Sequence, residues 1–149
     1  MNDPINFNQL NHLSGKEKIE KFETMEQRGG MADNLGYTVT EYGEGFVVYE
    51  YTLKDRHVNL IGTLHGGIMA TLLDTAMGAA VMTLLDVGER HTMTDITTKF
   101  IRPVTSAEDV LTVRAEVENA GRRTLATAGT IHNKAGKLVA RAIGSAMKI

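Results

Sequence analysis

Asp74 is the only charged residue between Ile68 and Leu85, and it lies eight residues after Gly66, the middle member of the triplet His65-Gly66-Gly67. A carboxylate in so apolar a stretch must be paired, protonated or turned toward a polar cleft. Burial raises its pKa toward neutrality, which suits a general base. The competing use is an internal brace that accepts hydrogen bonds from backbone amides. The triplet also has two readings. At the start of a helix the first N–H groups are unpaired and carry the positive end of the macrodipole, so they can receive developing negative charge, and glycine lets a ligand carbonyl approach the backbone. Alternatively, His-Gly-Gly is a flexible junction between loop and helix.

Spacing constrains the first reading of each. On one helix, eight residues at ~1.5 Å rise separate Gly66 from Asp74 by roughly 12 Å, whereas reacting atoms must come within about 3–3.5 Å. If Gly66 polarises a carbonyl that Asp74 helps to attack, the two come from different chains with antiparallel helices, and the site is duplicated at a twofold interface.

The elements that hold these residues follow from periodicity. A helix is expected from about Gly66 to Leu85, apolar almost all round and therefore covered on most sides. Before it, Ser14 to Arg28 reads as a short amphipathic helix with Ser14 and Glu17 in capping-box spacing, stopped by Gly29 and Gly30. Tyr37–Tyr42 and Phe46–Leu53 read as strands joined by a turn at Gly43-Glu44-Gly45, with a loop from Asp55 to Leu64. After the long helix come four strands, about Thr92–Ile101, Val110–Glu118, Thr124–His132 and Leu138–Lys148. Their turns are Arg102-Pro103 through Ser106, Asn119 to Arg122, and Asn133 to Gly136, and short turns make antiparallel neighbours. The class is α+β, with one antiparallel sheet curled around one buried helix. Residues 1–34 form a tail and the short helix, and residues 35–149 the domain. Repeats and Pro-rich linkers are absent, the two prolines being Pro4 and Pro103.

The 149 residues contain no cysteine, which excludes a disulfide scaffold, a thiolate metal site and a Cys nucleophile. A net charge of −2 supplies no basic surplus for nucleic acid or an anionic membrane surface. The low-charge run Ile68–Val87 is interrupted by Asp74, which argues for burial in protein rather than in lipid. The first thirty residues lack a secretory or transit pattern, and a cytoplasmic address is expected. His12, His57, His91 and His132 show no metal-ligand spacing, so no metal is expected. There is no GxSxG elbow, P-loop or dinucleotide fingerprint.

Taken together, Asn59, Gly62, His65-Gly66-Gly67, Asp74, Phe100-Ile101-Arg102-Pro103 and Gly121-Arg122-Arg123 resemble the hotdog-fold acyl-CoA thioesterases of the phenylacetic-acid-degradation type, over Leu35 to Ile149. The resemblance implies dimers that pair into tetramers, and hydrolysis of acyl-CoA to a free acid and coenzyme A without metal or attached cofactor. It implies that Asp74 is the base or nucleophile and that Gly66 is the backbone donor to the thioester oxygen. His65 and Asn59 would fix the carbonyl and the partner's loop, with Gly67 against the substrate. Some relatives carry a Ser on the strand after the helix; here Met93 stands there, flanked by Thr92 and Thr94. The Thr94 hydroxyl would serve only if the register slipped by one, and such a slip turns a side chain to the opposite face. Arg102, Arg122 and Arg123 are the expected partners of the coenzyme A phosphates, with Arg56 and Lys134 behind them. Two other functions fit the same fold: a non-catalytic acyl-CoA binding or sensing protein, and a hydratase or dehydratase. For the latter a His followed by two glycines fits less well.

Overall fold

The computed structural model describes residues 7–105 and 109–149; the expected tail proline Pro4 and the turn residue Ser106 lie outside them. Helices α1 (Gly15–Glu23) and α2 (Gly30–Leu35) precede strands β1 (Thr38–Gly43) and β2 (Phe46–Thr52). Helix α3 (Gly66–Met82) follows, and then β3 (His91–Phe100), β4 (Val110–Ala120), β5 (Thr124–His132) and β6 (Leu138–Lys148). All six strands form one antiparallel sheet in the order β1-β2-β4-β5-β6-β3, wrapped around α3 as the hotdog fold requires.

Alternation builds the inner face. Leu111, Val113 and Ala115 of β4 are buried, while Thr112, Arg114 and Glu116 between them are exposed. They meet Leu72, Leu73, Ala76, Met77 and Ala80 of α3, none of which has accessible surface. Gly129 of β5 brings helix and sheet together, since a Cβ there would lie 3.0 Å from Leu73. No helix among the described residues is long and apolar enough to cross a membrane.

Several expected boundaries are corrected. Helix α3 ends at Met82 rather than Leu85, because the Thr83 hydroxyl donates to the Ala80 carbonyl (2.7 Å) and accepts the Gly45 N–H (2.7 Å). Leu84 and Leu85 then donate to Val81 and Met82, three residues back rather than four, which tightens the last turn. The first helix stops at Glu23, not Arg28, with Thr24 as its C-cap. Gly30 does not end a helix but begins α2, where the Asp33 carboxylate accepts the N–H groups of Arg28 (2.8 Å) and Gly29 (2.7 Å). The Ser14–Glu17 capping box forms as expected.

The largest departure concerns β3. It pairs with β6 at the far edge of the sheet, not with its sequence neighbour β4. The nine-residue link 101–109 can reach ~30 Å, and crossing three strand spacings needs only ~14 Å. With Thr92, Thr94, Asp95, Thr97 and Lys99 exposed, β3 also lacks the clean wet-and-dry alternation of an interior strand.

Candidate active site

His65 caps α3. Its backbone is extended (φ −63°, ψ 133°), and its Nδ1 accepts the Gly67 N–H at 2.8 Å. In a neutral imidazole this leaves Nε2 as the donor, on an exposed side chain. The Gly67 N–H is thus engaged in the cap. The Gly66 N–H, at the first helical position, has no partner among the described residues and lies at the positive end of the helix. The ring of Phe100 would touch a Cβ at Gly66 at 3.0 Å, so the ring occupies the space that glycine leaves.

Beneath this junction His57 is 4% exposed and forms a brace. Its Nε2 donates to the Asn34 Oδ1 (2.8 Å), which leaves Nδ1 to accept from the Tyr51 hydroxyl (2.6 Å). Burial, then the charges of Arg56 and Lys54, hold its pKa below the ordinary value, so the ring stays neutral. The His57 carbonyl accepts the His65 N–H at 2.9 Å and so ties the cap to the core. Replacing His57 by Leu takes away the acceptor of the buried Tyr51 O–H, whose oxygen keeps only the Lys54 N–H, and is expected to destabilise the fold by about 1–3 kcal/mol, read from the midpoint of urea unfolding.

Asn59 organises its own loop. Its Oδ1 accepts from the N–H groups of Ile61 and Thr63 (3.1 Å each), and its Nδ2 donates to the Thr63 hydroxyl (2.8 Å). Gly62 closes the loop at φ +81°. Leu60 and Ile61 consequently stand out at the tip, at 107% and 83% exposure.

Asp74 is half-buried and accepts no hydrogen bond from any described residue, so the brace reading fails in the isolated chain. Burial raises its pKa. Its carboxylate opens onto a cavity of about 420 Å³. One wall is the α3 face of Asp74, Gly78 and Met82; the others come from α1, from β3 and from the stacked rings of Tyr37 and Tyr49, whose centroids are 4.4 Å apart. Met93 lines this cavity as well. Thr94 does not, because a bulge between Met93 and Asp95 turns it outward, where its hydroxyl donates to the Ser145 carbonyl (3.2 Å). The threonines that do line the cavity are Thr75 and Thr92.

The basic candidates are not brought together. Arg102 lies near the Gly66 end of α3 and donates to the Leu138 carbonyl (2.8 Å), while Arg122 and Arg123 occupy the exposed β4–β5 turn toward the opposite end. The 17 residues of α3 separate those ends by roughly 25 Å. Arg56 donates to the Asn34 carbonyl, and Lys134 is exposed in the β5–β6 turn. Sequence reasoning missed the part played by α1: its Gly15 packs against the end of α3, donating to the Leu85 carbonyl at 3.0 Å, and this docking closes one side of the cavity. No local pattern encodes that contact; the close approach of backbones at Gly15 is its only trace.

A sheet curled on one helix defines the hotdog fold, and the carboxylate midway along that helix and the N–H at its start have no partner among the described residues. The chain belongs to the thioesterase superfamily, whose family model matches residues 61–140. Human acyl-coenzyme A thioesterase 13 is 32% identical over 105 residues, covering 70% of this chain and 74% of that one. Among solved structures, the Escherichia coli PaaI protein of the phenylacetic acid degradation operon has a TM-score of 0.78 at 28% identity, over 90% of this chain and 91% of that chain. A Streptococcus pneumoniae hypothetical thioesterase, solved with coenzyme A, has a TM-score of 0.71 at 26% identity, over 76% and 85%.

Proposed function

We propose that this protein hydrolyses acyl-CoA thioesters to a carboxylic acid and free coenzyme A. The observation that carries the proposal is Asp74: a carboxylate with its pKa raised, no partner among the described residues, and a largely apolar cavity in front of it. Thioester hydrolysis uses such a group in either of two ways. It takes a proton from the water that attacks the carbonyl, or it adds to the carbonyl itself and forms an anhydride that water then opens. In both, negative charge develops on the thioester oxygen, and a backbone N–H at a helix start stabilises it. Gly66 supplies that N–H, and the neutral His65 Nε2–H is the second donor at the same junction. Neither step calls for a metal or cofactor, and no three His, Asp or Glu residues converge among the described residues.

Because Gly66 and Asp74 are ~12 Å apart on one axis, each site is shared between two copies of the chain. The surface around β3 supports this. It is an open sheet edge that carries exposed Ile96, Phe100 and Ile101, with the Leu60–Ile61 loop tip also projecting. Unpaired apolar edges of this kind are templates for pairing. Antiparallel α3 helices put the Gly66 end of one copy toward the same side as Arg122 and Arg123 of the other, so that basic groups from both flank the phosphates of coenzyme A. Pairing of two such dimers into a tetramer, and a cytoplasmic location, are part of the same reading. Thiol release from a panel of short, long and aromatic acyl-CoAs tests the function. Turnover of at least one class is expected, and silence across the panel sinks the enzyme in favour of a binding protein.

A further inference from the structure

The chain has 15 glycines, and backbone or packing accounts for all of them but Gly78. Seven have φ between +51° and +83°, a conformation that other residues rarely adopt. Seven more leave no room for a side chain, because a Cβ would come to 3.0 Å or less from a neighbouring atom; Gly15, Gly129 and Gly144 are of this kind. Gly78 belongs to neither group. It lies inside α3 without a positive φ, and a Cβ there would meet the His91 Nε2 at 3.5 Å and the Met93 Cγ at 3.8 Å, both ordinary contacts. Inside a helix glycine is less stable than alanine, since it loses more backbone freedom on folding. Nothing within the chain therefore calls for glycine at this position, and its use lies in the space beside it.

That space is the Asp74 cavity. Asp74, Gly78 and Met82 follow one another at intervals of four residues on the face of α3 that lines it, so Gly78 stands ~6 Å beyond the carboxylate and Met82 ~12 Å beyond it along the helix axis. The ring of His91, on the facing wall, is held against the helix by donating to the Gly78 carbonyl. A side chain longer than a methyl at position 78 has to extend into the cavity, because that ring is tied in place. Three chain bonds advance about 3.5 Å when extended, so an acyl chain running along α3 from Asp74 reaches Gly78 after about five bonds and Met82 after about ten. Ile19, Phe22 and Met82 make the walls apolar, as a run of methylenes requires.

We propose that Gly78 determines the acyl specificity of this site: its missing side chain is the passage through which acyl chains of more than about six carbons run from Asp74 toward Met82. The proposal rests on the thioesterase reading and deepens it, naming the part of the substrate that Gly78 admits. The selection is one of shape. Methylenes lie against bare helix backbone where a side chain would otherwise stand, and the stability that glycine forgoes in α3 is exchanged for reach.

The test compares thiol release from decanoyl-CoA and butyryl-CoA, whose chains end beyond Gly78 and short of it. The ratio of kcat/KM for decanoyl-CoA to that for butyryl-CoA is expected to fall by about tenfold in Gly78→Ala and about a hundredfold or more in Gly78→Leu, since one methylene in an apolar pocket is worth at least about tenfold. Gly78→Ala should also melt ~1–4 °C above the wild type, because the helix gains and no neighbour is displaced, so the narrower range is not a loss of fold. A ratio unchanged in Gly78→Leu overturns the proposal, as does a wild type that cleaves butyryl-CoA but not decanoyl-CoA. A lower melting point for Gly78→Ala shows that packing needs the glycine and overturns it too. So does dissociation of Gly78→Leu into monomers on sedimentation, which gives the gap to a helix of the partner copy instead. Calorimetric binding of free decanoate is independent of turnover, and its affinity should weaken at least about tenfold in Gly78→Leu; equal affinities overturn the proposal. If no acyl-CoA releases thiol but decanoate binding weakens in this way, the thioesterase reading fails while the passage at Gly78 stands.

Discussion

Replacing Asp74 by Asn is expected to slow thiol release by about 10²- to 10⁴-fold, the range of a positioned acid–base group. The amide has nearly the same shape and cannot take a proton or act as the nucleophile, so the loss appears in kcat. The wild-type rate should fall on the acidic side as Asp74 is protonated, over a range above that of an ordinary aspartate because burial raises its pKa. The residual activity of Asp74→Asn should lack that limb. The sign of the stability change is opposite. A carboxyl group with a raised pKa in the folded state adds stability below its unfolded pKa, and that contribution is lost as pH rises through the folded value. At neutral pH the charged form opposes folding, so Asp74→Asn should melt at a higher temperature than the wild type. A variant less active and more stable marks a site where function holds a charge in an unfavourable place. Full activity in Asp74→Asn would remove the carboxylate from the mechanism.

Gly66→Pro and Asp74→Asn subunits, each nearly inactive alone, should recover activity when unfolded and refolded together. Proline removes a single N–H, and α3 can accept it. Gly66 is the first helical residue, where proline is favoured, and His65 before it has the extended conformation that a following proline demands. The ring of Phe100 must give by a few tenths of an ångström. Loss of one oxyanion donor costs about 10²- to 10³-fold in kcat. In a mixed dimer, Asp74 of the Gly66→Pro chain faces Gly66 of the Asp74→Asn chain, and one of the two sites is intact. Random pairing of equal amounts then restores about a quarter of wild-type activity, since half the dimers are mixed and each has one working site. If each chain completed its own site, no mixture would recover anything.

Much of the site is legible because it is local. His65-Gly66-Gly67 at a helix start and a lone Asp74 on an apolar helix are features of consecutive residues, and one helical rise is enough to show that they cannot meet within one chain. Asn59 is visible as a motif residue, but its hydrogen bonds go to its own loop, which only the folded backbone displays. The outcome at Met93 and Thr94 depended on a bulge, and a bulge is decided by pairing with β6, about fifty residues away.

By itself the sequence determined the α+β class, the central helix, the β1–β2 hairpin and the β4-β5-β6 meander, because periodicity and turn residues act over a few positions. Only the tertiary structure decided that β3 lies at the edge beside β6, that α1 docks on the end of α3 through Gly15, and that Gly78 faces the Asp74 cavity. Those outcomes come from packing between segments far apart in the chain, where long-range contacts, not local preference, select one arrangement among several of similar local energy.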